Sequence, residues 1–147
     1  MISTQRFVRR FVGIAIMGLL LSAAFSARAE RAPIQIGAQE LEQLSQDQVI
    51  LIDVRRQDEW RRTGVVENSH LVTFFDQRGN YDAAAWLGEI NAFSNPDDTI
   101  VLICQTGSRS GIIANWLASQ MGYSVVYNLQ PGIVEWIREG LPVSPVR

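Results

Sequence analysis

The chain contains a single cysteine, Cys104, and the residues after it favour chemistry at its sulfur. The segment reads Cys104-Gln105-Thr106-Gly107-Ser108-Arg109-Ser110. Gly107 permits a tight turn, because glycine has no side chain to clash. Arg109 supplies a positive charge that ordinary pH does not remove. Since the thiolate is the nucleophilic form of cysteine, and a nearby cation stabilises it, this combination predicts a reactive thiol.

The elements around the segment explain how it would be positioned. Residues 99–103 form an apolar run that predicts a buried strand, and an amphipathic helix follows Ser110. Cys104 would then lie at the carboxyl end of a parallel strand, where catalytic groups gather and loop N–H groups and a helix N-terminus present positive partial charge. We therefore predict Cys104 as the nucleophile in an ionised form that solvent can reach. The predicted anion-binding residues are Gln105, Thr106, Gly107, Ser108, Arg109 and Ser110.

Asp53 and Arg55 stand at the carboxyl end of another apolar run and could line the same rim as Cys104. We favour a supporting, structural role, in which Arg55 pairs with Glu59 or Asp53 to hold the loop. An ionised thiol needs no general base, and His70, the only histidine in the chain, is likewise assigned to structure.

Short apolar runs alternate with stretches of helical periodicity along the chain. Strands are predicted over residues 34–36, 49–54, 70–74, 99–103 and 124–128. Helices are predicted from residue 38 to 44, over 56–62 and 81–93, after residue 110 with Gly122 as its cap, and over 133–139. This alternation is typical of a small α/β domain with a mainly parallel sheet and helices on both faces.

The first 29 residues have the pattern of a secretory signal. Three arginines precede an apolar run over residues 11–25, and small residues then end at Ala29 as at a signal-peptidase site. The run is about 15 residues long, short of the roughly 20 that a permanent transmembrane helix requires. We predict cleavage of residues 1–29, a domain over residues 33–143 and export, in a bacterium to the periplasm. An uncleaved membrane anchor is the alternative.

Charge and composition restrict the partners of the predicted domain. Without residues 1–29 the chain has 9 arginines, no lysine and 15 acidic residues, a net charge of about −6. A nucleic-acid partner is not expected, because phosphate binding requires a basic face. One cysteine cannot form an internal disulfide, so an exported domain would keep a free thiol. No cofactor and no metal ion are predicted.

Three segments resemble the signatures of the rhodanese-like family of single-domain sulfurtransferases. The cysteine segment has the pattern Cys-x-x-Gly-x-Arg between a strand and a helix. Residues 51–60, with Leu-Ile-Asp-Val-Arg and then Glu-Trp, resemble the upstream signature. Residues 132–143, with Gly-Ile-Val-Glu-Trp and then Gly-Leu-Pro-Val, resemble the downstream one. Asn68 stands where the family commonly has glycine, and asparagine tolerates the same left-handed backbone.

This resemblance implies a five-stranded parallel sheet and a two-step sulfur transfer. Cys104 would take the outer sulfur of a thiosulfate-like donor as a persulfide. An external thiol, a thiol protein or cyanide would then remove it, since the chain has no second cysteine. The loop N–H groups would stabilise the persulfide as an oxyanion hole stabilises oxygen, and Arg109 would orient the donor's oxygens.

Two alternatives stay open at this point. Related phosphatases and arsenate reductases have their arginine one position later, where this chain has Ser110. The shorter loop favours a single sulfur atom over a tetrahedral oxyanion. A non-catalytic module of the same fold would use the loop only to bind an anion or a thiol partner.

Overall fold

The computed structural model describes residues 31–146 of the 147-residue chain, in which strands and helices alternate. The strands are β1 (Ile34–Ile36), β2 (Ile50–Asp53), β3 (His70–Leu71), β4 (Thr99–Ile103) and β5 (Val125–Leu129). The helices are α1 (Ala38–Leu44), α2 (Gln57–Thr63), α3 (Ala83–Ile90), α4 (Ser108–Ser119) and α5 (Ile133–Arg138). None of these helices is long and apolar enough to cross a membrane. The predicted signal lies outside the described residues.

The five strands form one sheet in the order β1-β5-β4-β2-β3, and every neighbouring pair is parallel. β4 is the central strand, and its last four residues are fully buried. A strand covered on both faces has a continuous apolar sequence, as Thr-Ile-Val-Leu-Ile does here. The predicted fold class, an α/β domain with a five-stranded parallel sheet, is confirmed.

Side chains of β4 alternate between two apolar cores, because successive residues of a strand point to opposite faces. Ile100, Leu102 and the following Cys104 belong to a core shared with α3 and α4. Val101 and Ile103 belong to a second core shared with α1 and α5. Full burial of each leucine or isoleucine contributes about 1.5–3 kcal/mol. Helices therefore cover both faces, as predicted, and Cys104 belongs to the face of α4.

Some predicted boundaries differ from those observed, each for a local reason. Helix α3 starts later than predicted because the Asp82 carboxylate accepts the N–H of Ala85 and caps the helix there. Helix α4 starts earlier, at Ser108, so the cysteine segment itself supplies its first turn. It ends at Ser119, and Gly122, at φ 82°, lies beyond its cap. The prediction of Gly122 as that cap is therefore wrong.

β2 and β4 end side by side at the carboxyl edge of the sheet. Asp53 is in register with Ile103, and the N–H of Val54 donates to the carbonyl oxygen of Ile103 at 2.9 Å. Cys104 follows Ile103 directly, so the loop that carries it begins at the middle of this edge. Arg55 follows β2, the strand that pairs with β4.

Candidate active site

The sulfur of Cys104 lies against the first turn of α4. Its Sγ accepts a hydrogen bond from the main-chain N–H of Gly107 at 3.1 Å and lies 3.2 Å from the hydroxyl oxygen of Ser110. Gly107 is the N-cap of α4 and has a left-handed backbone, with φ at 85°. A Cβ at this position would lie 2.8 Å from the carbonyl oxygen of Leu129. Glycine is therefore required both for its dihedral angle and for its lack of a side chain.

Most main-chain N–H groups of the loop remain available as donors. Within residues 31–146, hydrogen-bond acceptors are lacking for the N–H groups of Gln105, Thr106, Ser108, Arg109 and Ser110. The last three belong to the first turn of a helix, which has no intrahelical acceptor for them. These five groups belong to the six residues that the sequence analysis assigned to anion binding, and the sixth, Gly107, donates its N–H to the Cys104 sulfur. The five can donate to an anion at this end of α4.

Two carbonyl oxygens of the same loop accept hydrogen bonds from α5. The N–H of Ile133 donates to the oxygen of Cys104 at 2.9 Å, and the N–H of Val134 donates to the oxygen of Gln105 at 3.3 Å. This close packing depends on Gly132, since a Cβ there would lie 2.5 Å from the oxygen of Gln105. With these acceptors paired, the loop offers a ligand chiefly hydrogen-bond donors.

Arg109 forms a two-pronged ion pair with Glu59 of α2, an acid to which the sequence analysis gave a different partner. The two terminal nitrogens of the guanidinium lie 2.9 and 2.6 Å from the two carboxylate oxygens. A guanidinium has five N–H donors, so three remain, and these have no acceptor in the described part of the chain. Arg109 is thus anchored on one side and still able to bind an anion.

The charges of this pair stabilise each other. Burial by itself would raise the pKa of Glu59, but the hydrogen bonds from Arg109 and from the N–H of Arg56, with both positive charges, lower the pKa from 4.5 to about 2. The pKa of Arg109 is raised above its ordinary value, first by the hydrogen bonds to Glu59. The charges of Glu59, Cys104 and Asp53 raise this pKa further, and desolvation opposes them. The pair therefore keeps Arg109 positively charged and Glu59 negatively charged where they meet.

Asp53 and Arg55 form a second pair, and neither side chain has exposed surface. Arg55 donates to both oxygens of Asp53, the shortest contact being 2.7 Å, to the hydroxyl of Thr63 at 2.7 Å and to the carbonyl oxygen of Gly64 at 2.9 Å. These bonds fasten the end of β2 to the end of α2. Of the two acids that the sequence offered to Arg55, Asp53 is the partner.

The side chain of His70, the only histidine in the chain, packs against an aromatic ring. Its ring stacks on Phe93 with centroids 3.9 Å apart and planes 4° apart. This geometry supports a structural role for His70 in packing.

Sequence reasoning missed Asn128, a side chain in direct contact with the loop. It lies on β5 with 2% of its surface exposed, and its Oδ1 is 2.6 Å from the hydroxyl oxygen of Ser110. Its Nδ2 donates to the carbonyl oxygen of Gly107 at 3.1 Å. The available signal was a lone amide in an otherwise apolar strand, Val-Val-Tyr-Asn-Leu.

The exposure of Cys104 differs from the prediction. The residue has 0% exposed surface, whereas the sequence analysis required a thiol that solvent can reach. That expectation is wrong for this conformation. Thr106 and Ser108 next to it are exposed, and Gln105 and Arg109 are half-buried. A reagent can therefore reach the sulfur only after part of the loop moves.

Comparisons with known proteins agree with this geometry. A family model for the rhodanese-like domain matches residues 37–139. The rhodanese-like/PpiC domain-containing protein 12, chloroplastic, of Arabidopsis thaliana is 35% identical over 113 residues, which are 71% of this chain and 34% of that protein. Thiosulfate sulfurtransferase 18 of the same plant is 28% identical over 127 residues, 84% of this chain and 91% of that protein. The chain thus spans about a third of the length of the first relative and most of the second.

Solved structures have the same fold. The crystal structure of a rhodanese-related protein from Thermoplasma volcanium superposes with a TM-score of 0.58 and 28% sequence identity. The match covers 76% of this chain and 97% of that one. The similarity therefore extends over nearly all of that protein and about three quarters of this chain.

Proposed function

The chain belongs to the rhodanese-like domain family, and we propose that it acts as a sulfurtransferase with Cys104 as nucleophile and sulfur carrier. One observation carries the proposal. The sulfur lies between a buried strand and a helix N-terminus and accepts a hydrogen bond from the Gly107 N–H. Five further N–H groups of the same loop have no acceptor among residues 31–146. An inert core thiol requires no such donors, whereas a thiolate and a persulfide both do.

In the first step, the Cys104 thiolate attacks the outer sulfur of a donor such as thiosulfate. A bond forms between the two sulfurs, the sulfur–sulfur bond of thiosulfate breaks, and sulfite leaves with the bonding electron pair. In the second step, an external thiolate, a thiol protein or cyanide attacks the terminal sulfur of the persulfide. The Cys104 sulfur leaves with the electron pair and is a thiolate again.

Arg109 has the position and the free donors to orient the oxygens of an anionic donor. Its pairing with Glu59 holds the guanidinium in one orientation while three N–H groups remain available. A preorganised fork of this kind loses less side-chain entropy on binding than a free arginine. We assign Arg109 to donor binding on these grounds.

Intact-mass measurement after incubation with thiosulfate tests the proposal. The wild-type protein should gain one sulfur atom, and the Cys104→Ser variant should gain none. Treatment of the loaded protein with cyanide should remove the added mass and release thiocyanate. Equal sulfur uptake by both proteins would contradict Cys104 as the carrier.

A non-catalytic binding module is the second candidate, and the burial of Cys104 is the observation that favours it. Such a module would bind an anion on the loop N–H groups without forming a persulfide. Steady-state production of thiocyanate from thiosulfate and cyanide separates the two, because only a sulfurtransferase turns over. Saturable thiosulfate binding without turnover would support the module instead.

We further propose that the domain is exported. The support is the pattern of residues 1–29, which combines basic residues, an apolar run and a small-residue site ending at Ala29. In a bacterial host the exported form should be found in the periplasmic fraction with Glu30 as its first residue. A full-length chain with Met1 retained in the membrane fraction would indicate an anchor instead.

A further inference from the structure

A chain of buried amide and hydroxyl groups leads from the Cys104 sulfur to the edge of the sheet. Ser110 has 0% and Asn128 has 2% of its surface exposed. The Ser110 hydroxyl lies 3.2 Å from the sulfur and 2.6 Å from Oδ1 of Asn128. The Nδ2 of Asn128 in turn donates to Oε1 of Gln35 on β1 at 2.7 Å. Buried polar groups are almost always hydrogen-bonded, so each member of this chain depends on its neighbours for a partner.

The orientation of the Asn128 amide follows from its neighbours. The carbonyl oxygen of Gly107 can only accept, so the amide group 3.1 Å away must be the Nδ2 that donates to it. The other end of the amide, the oxygen Oδ1, therefore faces Ser110. An amide oxygen cannot donate, so the short contact of 2.6 Å uses the hydroxyl hydrogen of Ser110.

Ser110 has one hydroxyl hydrogen and three acceptors near it: the Cys104 sulfur, Oδ1 of Asn128 and the carbonyl oxygen of Gly107 at 3.3 Å. The Gly107 oxygen already accepts from the N–H of Gly111 and from Nδ2 of Asn128, so the sulfur and Oδ1 are the two that depend on the hydroxyl. While Cys104 is a thiol, its S–H can donate to the Ser110 oxygen, and the Ser110 hydrogen stays on Asn128. When the sulfur is anionic, after its proton has left for solvent, it can only accept. The Ser110 hydrogen can then turn to the sulfur, and Oδ1 of Asn128 loses its donor when it does. Asn128 and the anionic sulfur thus compete for one hydrogen.

We propose that Asn128 is a positioning residue that holds the Ser110 hydroxyl away from the resting thiol and releases it to the anionic sulfur. The Ser110 hydroxyl has two orientations, one toward Asn128 and one toward the Cys104 sulfur. Asn128 holds the first orientation while the sulfur is an uncharged thiol. This inference rests on the proposed sulfur transfer and adds to it, because the Ser110 hydroxyl would donate a hydrogen bond to the anionic sulfur of both the thiolate and the persulfide. Its test concerns the thiol alone and does not depend on sulfur transfer.

Charged groups lie on the elements packed around the loop. Arg109 lies on α4 and is paired with Glu59 of α2, while Asp53 and Arg55 form their pair after β2. Helix α5, whose first turn bonds to the Cys104 main chain, carries Glu135. The variants described below leave these five charged residues unchanged. A change in the titration midpoint of Cys104 therefore reports on the Ser110 hydroxyl or the Asn128 amide.

Ultraviolet absorbance of the thiolate, followed against pH, tests the proposal on the full chain. The single cysteine makes the signal specific, and Cys104→Ser supplies the blank. In Ser110→Ala the anion loses a donor, so the titration midpoint should rise by about one pH unit. In Asn128→Leu the competing acceptor is gone, so the midpoint should fall, by roughly half a unit or more. Opposite shifts from two adjacent members of one hydrogen-bond chain are the signature expected.

Controls keep the result interpretable. Ser110→Thr retains a hydroxyl and should restore the wild-type midpoint. Ser94→Ala removes a buried hydroxyl that donates to Ile90 in the same core and should leave the midpoint unchanged. If Asn128→Leu does not fold, Asn128→Ala serves in its place.

A merely structural role for Asn128 predicts a different outcome. The midpoint would then rise in both the Ser110 and Asn128 variants, or would move in neither, and the proposal would be overturned. Failure of sulfur loading with opposite shifts retained would instead reject the sulfurtransferase function and leave this inference standing.

Discussion

Two arginine–carboxylate pairs lie at the carboxyl edge of the sheet, and they differ in how completely they are closed. The pair of Arg55 and Asp53 has no exposed surface, and Arg55 also bonds to Thr63 and Gly64. The pair of Arg109 and Glu59 has 26% of the Arg109 side chain exposed and leaves three N–H donors without an acceptor in the described residues.

The difference separates stability from function at one edge of the fold. Arg55 donates its hydrogen bonds to groups of the protein itself, and these bonds join the end of β2 to the end of α2. Arg109 is held by one acid, 50 residues away in sequence, and keeps donors for a ligand beside the Cys104 loop. We expect Arg55, whose donors are paired within the protein, to contribute to the free energy of unfolding. We expect Arg109, which keeps free donors, to contribute to the binding of an anion.

The largest effect should follow from breaking the closed pair. Arg55→Met leaves the Asp53 carboxylate buried without its cation, which typically lowers the free energy of unfolding by about 3–5 kcal/mol. Urea unfolding measures this change. Arg62→Met, at an exposed position on α2, is the matched control and should have little effect. A loss below about 1 kcal/mol for Arg55→Met would show that the pair is not structural.

The open pair should affect sulfur uptake more than stability. Arg109→Met removes the free donors, so the rate of sulfur uptake from dilute thiosulfate should fall roughly tenfold to a hundredfold, as expected for hydrogen bonds to a charged group. Arg109→Lys keeps the charge without the planar fork and should recover only part of the rate. The uptake rate is measured by intact mass against time. If Arg109→Met loads sulfur as fast as wild type, the assignment of Arg109 to donor binding is wrong.

Acid should weaken the open pair in a defined window. The folded pKa of Glu59, about 2, lies below its ordinary 4.5, so the folded state favours the ionised carboxylate. This contribution to stability is complete above about pH 5 and is lost as the pH falls through 2. Urea unfolding of wild type and Glu59→Gln should show the difference between them shrinking across that window. A difference that stays constant from pH 5 to 2 would contradict the lowered pKa.

The smallest effect should come from an exposed pair on the same helix. Arg56 and Asp58 lie 3.1 Å apart with 29% and 48% of their side chains exposed. Solvent screens such pairs, so Asp58→Asn should change the free energy of unfolding by less than about 1 kcal/mol. Added salt should remove what difference there is. A larger loss would mean that Asp58 supports the Glu59 pair indirectly through Arg56.

The fold class was predictable because its signals are local. The apolar run of β4 and the periodic helix after it are readable within a few residues, and a parallel sheet covered on both faces follows from their alternation. Asn68 was expected to tolerate a left-handed backbone, and it has φ at 63°. The length of β3 was overestimated, because the strand was predicted over residues 70–74 and has only two residues. Residues 72–74 continue beside β2 with hydrogen bonds but without regular strand pairing.

The partners within the site were not predictable in the same way. Arg55 had two nearby acids to choose from, and Arg109 pairs with one that lies in another helix. Asn128 and Ser110 are 18 positions apart and meet only because β5 lies beside α4. A local sequence pattern does not show which of these distant residues will form a hydrogen bond, because that depends on how the strands and helices pack.

The sequence by itself determined the α/β class, the strand on which Cys104 stands and the loop of donors after it, because residue type and periodicity act over short stretches of chain. Only the tertiary structure decided which acid holds Arg109, that Asn128 reaches the Ser110 hydroxyl and that the thiol is buried. Those facts depend on contacts between elements distant in sequence, where a side chain takes whichever partner the packed sheet and helices bring within about 3 Å.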